Sequence, residues 1–212
     1  MKSFETWLVE DVENTFSIVK RKSYHLLEVW LSADQKPDDY QTFGINKLKN
    51  ELSDNVDTWN EEEIKFHFIG TFVQLVDFIT DRFKSFTQRT LKAKINEIEV
   101  GGRVDYMVAT GKARPKHPFF FFHEYKPSKR GINDPLGQLL IEMVTAQFLN
   151  SDNMPLYGAY IEGRFWYFVI LNEKEYSVSK AFDATENDIY KIFSILCKAK
   201  EYINDWFDKQ IK

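Results

Sequence analysis

The stretch that most constrains this chain is Phe119–Lys126, where four consecutive phenylalanines run into His123-Glu124-Tyr125-Lys126. A strand that is apolar at consecutive positions loses water on both faces. It therefore belongs in the middle of a sheet covered by further layers on each side. Ending such a strand on Glu124 and Lys126, two residues apart and so on one face, sets two opposite charges at the rim of the core.

The flanking sequence fits that requirement. Before the run, Ile95–Val100 and Arg103–Ala109 alternate around Gly101-Gly102, which predicts a hairpin turning at the glycines. Gly111–Pro118 reads as a basic loop. After the run, Lys129–Asn133 reads as a turn. Asp134 is then a good N-cap with Pro135 at the first helical position, and a helix follows to about Leu149. Leu156–Glu162 and Phe165–Leu171 form strands around Gly163-Arg164, and Tyr176–Ser179 forms a short edge strand. Thr185 or Asn187 caps a final helix reaching about Lys209. Upstream, apolar residues at spacings of three and four predict helices over 3–20, 24–31 and 42–53. A longer helix is capped by Asn60, carries Glu61, Glu62 and Glu63 in its first turn, and runs to about Arg82. The expectation is a single α/β domain, a mixed sheet flanked by helices, with residues 1–55 as a helical N-terminal segment and 56–212 as the core.

Composition narrows the function classes. With 212 residues and 19 Phe, 10 Tyr and 5 Trp, the chain can bury a sizeable core. The single cysteine excludes an internal disulfide, and no apolar run is long enough to span a bilayer, so a cytoplasmic protein without membrane contact is expected. Net charge is −4, but Arg82–Arg130 holds twelve Lys or Arg against four Asp or Glu, leaving −12 for the rest. Such a division suits a phosphate-binding face, and equally a solvated basic surface.

The chemistry concentrates on Asp105, Glu124 and Lys126. An Asp within an apolar strand is costly unless it is paired or binds a cation. If the two strands are neighbours, Asp105 converges with Glu124 and Lys126. Two carboxylates and a lysine make a hard-oxygen site for Mg²⁺ or Mn²⁺, with water and a phosphate completing the shell. Phosphodiester hydrolysis needs that combination: a deprotonated water and a sink for charge on the phosphoryl oxygens. Spacing by itself also fits a salt-bridged cluster at a strand end.

Asp105 followed by Glu124-Tyr125-Lys126, with Trp59-Asn60-Glu61-Glu62-Glu63-Ile64-Lys65 before and Asp134-Pro135-Leu136-Gly137-Gln138-Leu139-Leu140 after, resembles the PD-(D/E)XK nuclease superfamily. The likeness is greatest to N-terminal nuclease domains of type I restriction subunits and to related bacterial proteins, over roughly residues 59 to 171. It implies a restriction-endonuclease-like core and a magnesium-dependent hydrolase acting on nucleic acid, DNA rather than RNA, with a homodimer as one way to cut two strands. Asp105 and Glu124 would bind the metal. Glu61 would complete its shell, with Glu63 as the alternative. Lys126 would handle the attacking water and Gln138 would support it. The proline that gives the superfamily its name is replaced by Val104. The same fold kept as a non-catalytic module that binds nucleic acid or protein is the rival expectation.

Other features carry less. Lys112, Arg114, Lys116, Lys129 and Arg130 flank the site in sequence and suit phosphate contacts, or plain solvated loops. His117 and His123 lack zinc-ligand spacing, and His123 points away from Glu124. His67 lies one turn from Glu63 and could approach the site. Cys197 reads as a buried thiol, and the phenylalanine run as core rather than a base-stacking platform. No phosphate-binding glycine loop or nucleophile elbow is present.

Overall fold

A computed structural model describes residues 1–126, 134–150 and 154–210. In chain order it forms β1 (Lys2–Ser3), a 3₁₀ turn (Phe4–Thr6), α1 (Val9–Phe16), β2 (Val19–Lys20), α2 (His25–Leu31) and α3 (Asp39–Asn55). One helix then begins as α4 (Glu61–Glu63), is wound as a π-helix over Ile64–Ile69, and continues as α5 (Gly70–Val76). The strands β3 (Lys84–Ile95), β4 (Ile98–Thr110) and β5 (Lys116–Lys126) follow, then α6 (Pro135–Asn150). The chain closes with β6 (Leu156–Glu162), β7 (Phe165–Asn172), β8 (Glu175–Val178), β9 (Phe182–Asp183) and α7 (Asp188–Gln210).

The strands make one mixed sheet ordered β1-β4-β5-β6-β7-β8-β2, with β3 also paired to β4 and β9 to β7. This is the expected α/β architecture. β5 is central, antiparallel to β4 and parallel to β6, and α6 makes the crossover that a parallel pair requires. Its phenylalanines divide as predicted. Phe120 and Phe121 join the core beneath α2, α3, α5 and α7, while Phe119 and Phe122 join the core beneath α1 and α6. No helix among the described residues is long and apolar enough to cross a membrane.

Three expectations change. First, the hairpin turns at Asn96-Glu97, both with positive φ, rather than at Gly101-Gly102. The glycines lie inside β4. A Cβ on Gly102 would sit 2.8 Å from the Phe4 ring, so the glycine admits a core side chain rather than a turn. The basic stretch around Arg89, Lys92 and Lys94 is accordingly β3. Second, residues 3–20 do not form one helix. Leu8 leads into α1, Ser17 (φ 56°) ends it, and β1 and β2 join the sheet edges through parallel pairs with β4 and β8. Third, the helix expected to reach Arg82 stops at Val76, where Asp77 turns left-handed. The turn expected at Lys129–Asn133 lies outside the described residues.

Asp134 caps as expected and does more. Its Oδ1 accepts from the Gly137 N–H at 2.9 Å, and its Oδ2 accepts from the Val9 N–H at 2.8 Å. One carboxylate thus serves the N-termini of both α6 and α1, where the helix dipoles favour negative charge. Gly137 makes the crossing possible, because a Cβ there would lie 2.5 Å from the Trp7 carbonyl oxygen.

Candidate metal centre

Asp105 sits where β4 loses its partners on both sides. Toward β3, pairing holds at Thr87/Tyr106 and Arg89/Val104 but skips Gln88, whose φ is 53°. Toward β5, the ladder ends at Tyr106/His123. The Asp105 carboxylate fills the gap. Its Oδ2 accepts from the Tyr125 backbone N–H at 3.2 Å, and its Oδ1 accepts from the Gln88 amide at 2.6 Å and from Lys65 Nζ at 3.1 Å. Backbone groups that lose a ladder must find other partners, and here a side chain supplies them.

Glu124 lies one step along β5, on the face covered by α6, and is 0% exposed. Lys126 Nζ approaches its Oε1 to 2.6 Å, yet among the described residues neither Glu124 oxygen accepts an aligned hydrogen bond. Burial, followed by the charge of Asp105, pushes the Glu124 carboxyl up to about 8. Burial would lower the Lys126 pKa, but the neighbouring Glu124 carboxylate outweighs it and the ammonium is held charged. Asp105, Glu124 and Lys126 therefore lie within electrostatic reach of one another, but not through simple alternation along β4: Val104 packs in the core beneath α6 whereas Tyr106 and Val108 pack in the other core, so the two-residue period breaks around Asp105.

The helix carboxylates divide their work. Glu63 closes a capping box: Asn60 Oδ1 accepts from the Glu63 N–H at 3.0 Å, and Glu63 Oε2 accepts from the Asn60 N–H at 2.7 Å. Glu61 faces the sheet instead. Its Oε1 lies 2.5 Å from Lys65 Nζ, the same ammonium that reaches Asp105. Lys65 stands in the π-wound turn, a distortion common at functional sites. Burial opposes its charge, but the hydrogen bond to Glu61 and the charge of Asp105 prevail and its pKa is raised. Of the helix glutamates, Glu61 is the one hydrogen-bonded to Lys65, whose Nζ also lies 3.6 Å from the exposed Glu62.

Gln138 is buried in the first turns of α6, beneath the sheet, with Oε1 lacking a partner among the described residues. One turn later lies Glu142, 0% exposed, neither of whose oxygens has an aligned partner among the described residues. Its carboxyl is pushed well up, first by burial and then by the charges of Glu124 and Asp105, while the nearby Gln138 amide opposes the shift.

Lys65, Gln88 and Glu142 carry no assigned role in the sequence pattern. Glu142 had a usable signal: it is the sole charged residue of α6 and sits four residues after Gln138, on the same helix face. Lys65 had a similar one, four residues after Glu61. Gln88 had none, since its part depends on a backbone kink in β3.

Several neighbours fall elsewhere. Lys112, Arg114 and Lys116 are exposed at the far end of the β4–β5 hairpin. Five residues of strand, roughly 17 Å, separate that end from Asp105, so these cations flank the site in sequence but not in space. Lys129 and Arg130 lie outside the described residues. His67 stacks on Trp59, with ring centroids 5.2 Å apart, and stays out of the cluster. Cys197 is buried, which pushes its thiol up to about 12.

A cleft of about 410 Å³ opens between the π-helix and the β3–β4 hairpin, with Lys65, Gln88, Asp105 and Tyr125 among its walls and Phe66 exposed beside it. Glu124 and Gln138 lie behind it, on the α6 side of the sheet.

Among the described residues, no three His, Cys, Asp or Glu side chains are grouped closely enough to hold an ion by themselves. The donor chemistry nevertheless suits a divalent cation. Four partly or fully buried carboxylates, Glu61, Asp105, Glu124 and Glu142, face two ammonium groups, Lys65 and Lys126. With all four ionised, the two ammonium groups would leave two negative charges, which a divalent cation would cancel; without one, burial keeps Glu124 and Glu142 protonated instead. Comparison of the chain with protein-family models and with curated proteins finds no match in either.

Proposed function

We propose that this protein is a metal-dependent nuclease of the PD-(D/E)XK type, hydrolysing phosphodiester bonds of nucleic acid, with DNA as the favoured substrate. The observation that carries this reading is the gathering of Asp105, Glu124 and Lys126 at the point where β4 and β5 part, with Glu124 Oε1 paired to Lys126 and its Oε2 without a partner among the described residues.

A bound Mg²⁺ or Mn²⁺ would supply Lewis acidity toward the phosphoryl oxygen and toward a water. Asp105 and Glu124 would hold it. Because Lys126 stays charged beside Glu124, it is a poor proton acceptor near neutral pH. Its part is to orient the attacking water by donating to it, and to balance charge growing on the phosphoryl oxygens. Lys65 holds Asp105 in place from the helix side, with Glu61 fixing the lysine in turn. Gln88 and the Tyr125 N–H complete the hold on the Asp105 carboxylate. Exposed Arg89, Lys92 and Lys94 on β3, the strand that carries Gln88, offer cations to the nucleic-acid backbone.

One observation favours a second reading. Lys65 already bridges Glu61 and Asp105, as a purely structural ion-pair network would, and such a network suits a module that binds nucleic acid or protein without cutting it.

The deciding experiment is cleavage of plasmid, single-stranded DNA and RNA with Mg²⁺ or Mn²⁺, comparing wild type with Asp105→Ala and Lys126→Ala. Metal-dependent cutting lost in both variants supports the nuclease. A folded, metal-loaded wild type that cuts none of the three points to the binding module.

A further inference from the structure

The Glu142 carboxyl is held in apolar surroundings between α6 and β5. Leu139, Leu140, Ile141, Met143 and Val144 around it in sequence all belong to the core on that face. A carboxyl buried beside further carboxyls is costly to keep, and a leucine would avoid that cost. The groups that bear on it are Glu124 and Asp105 from the sheet, Lys126 from the end of β5, and Gln138 from its own helix. Only Lys126 is cationic, and it is already engaged with Glu124. Glu61, the carboxylate that the sequence pattern offers as the third metal ligand, is by contrast satisfied by Lys65.

We propose that Glu142 is a ligand of the divalent cation in this site: with Glu124, and with the Gln138 amide oxygen beside it, it closes the coordination shell from the α6 side. Glu61 is then a positioning residue that acts through Lys65. The inference rests on the metal-dependent reading given above and changes its ligand set. Both carboxylates and the amide carbonyl are hard oxygen donors, and two carboxylates with water filling the remaining positions is a usual shell for Mg²⁺. Among the described residues, Glu142 and Gln138 bring three buried oxygen atoms without aligned partners, and Glu124 a fourth in Oε2, onto two elements packed against each other, with Glu124 Oε1 held by Lys126. A helix carboxylate that merely filled space would not need to face the one strand carrying the other unsatisfied carboxylate.

The test is Mn²⁺ binding to the whole protein without nucleic acid, followed by calorimetry and by the electron paramagnetic resonance signal of free Mn²⁺. Wild type, Glu142→Gln, Glu61→Gln and Glu124→Gln are compared, with near-ultraviolet circular dichroism confirming the fold. Glu142→Gln should weaken Mn²⁺ binding at least about ten-fold, as loss of a group in a metal's immediate surroundings commonly does, and Glu124→Gln likewise. Glu61→Gln should change it far less. Should Glu142→Gln fail to fold, Glu142→Asp keeps the carboxylate but withdraws it, and the same weakening is expected. Unchanged binding in the Glu142 variants, with loss in Glu124→Gln, overturns the role of Glu142 and leaves the nuclease reading standing. A larger loss in Glu61→Gln than in Glu142→Gln also overturns it. No Mn²⁺ binding by wild type overturns both.

Discussion

His123 and Glu124 are adjacent on β5, both fully buried, and they point to opposite faces of the same sheet. Their environments diverge completely. His123 lies among Tyr106, Phe121, Tyr125 and Trp166, with its Nδ1 2.9 Å from the Tyr125 hydroxyl, and burial lowers its pKa to about 3. It is a neutral aromatic member of the core. Glu124 faces a lysine and two further carboxyls, with no aligned hydrogen bond among the described residues. Burial of a titratable group does not by itself mark a site. Under the proposed function, what distinguishes Glu124 is burial together with further carboxyls gathered around it.

The largest effect should come from exchanging the chemistry on one face only. Under the proposed function, Glu124→Gln should lower metal-dependent cleavage by about 10²-fold or more, since a carboxylate facing the metal is lost. His123→Phe should leave cleavage within a few fold. Equal losses in both would erase the distinction between the faces, and initial-rate assays at saturating Mn²⁺ would show it.

Stability against pH separates the two residues next. Glu124 has a raised pKa, so its contribution is full below its ordinary value near 4.5 and is lost as pH rises through about 8. His123 has a lowered pKa, so its contribution is full above about 6.5 and is lost as pH falls toward 3. In metal-free thermal melts, Glu124→Gln should flatten the alkaline decline and His123→Phe the acid one. Each kcal/mol is worth about 2–4 °C in a chain of this size. A wild type that melts at the same temperature from pH 4 to 9 would contradict both assignments.

A smaller effect is expected away from β5. Asp134→Ala removes a cap from α6 and from α1 together and should cost about 1–4 kcal/mol, twice the usual loss for one cap. Asp134→Asn should recover part of it in urea unfolding. The smallest concerns the two helix glutamates. Glu63→Ala should cost about 1 kcal/mol through the capping box, with cleavage retained. Glu61→Gln should leave stability nearly unchanged and alter activity through Lys65. An activity loss confined to Glu63→Ala would reverse their roles.

Much of this frame is legible in the residues. The phenylalanine run demands a central strand, and the two-residue period sets Glu124 beside Lys126 and apart from His123. Asp134-Pro135 announces a helix start wherever it occurs. Less legible are features in which one residue type serves two purposes. Gly101-Gly102 has the look of a turn, yet the glycines make room for Phe4 and for the parallel pairing of β1, contacts contributed from almost a hundred residues away. The actual turn, Asn96-Glu97, is a weaker local signal that prevails because it keeps Leu91, Ile95, Val100 and Val104 in one core.

The sequence by itself determined the layered α/β class, the strand that runs through its centre, and the placing of Glu124 and Lys126 on one face of that strand, because each follows from period and burial along a short stretch. Tertiary structure alone decided which helix carboxylate is satisfied and which is stranded. Glu61 finds Lys65 one turn away on its own helix, whereas Glu142 is carried by the β5–α6–β6 crossover beneath the other buried glutamate. That difference lies in the packing of separate elements, where like charges become costly only once water has been excluded from between them.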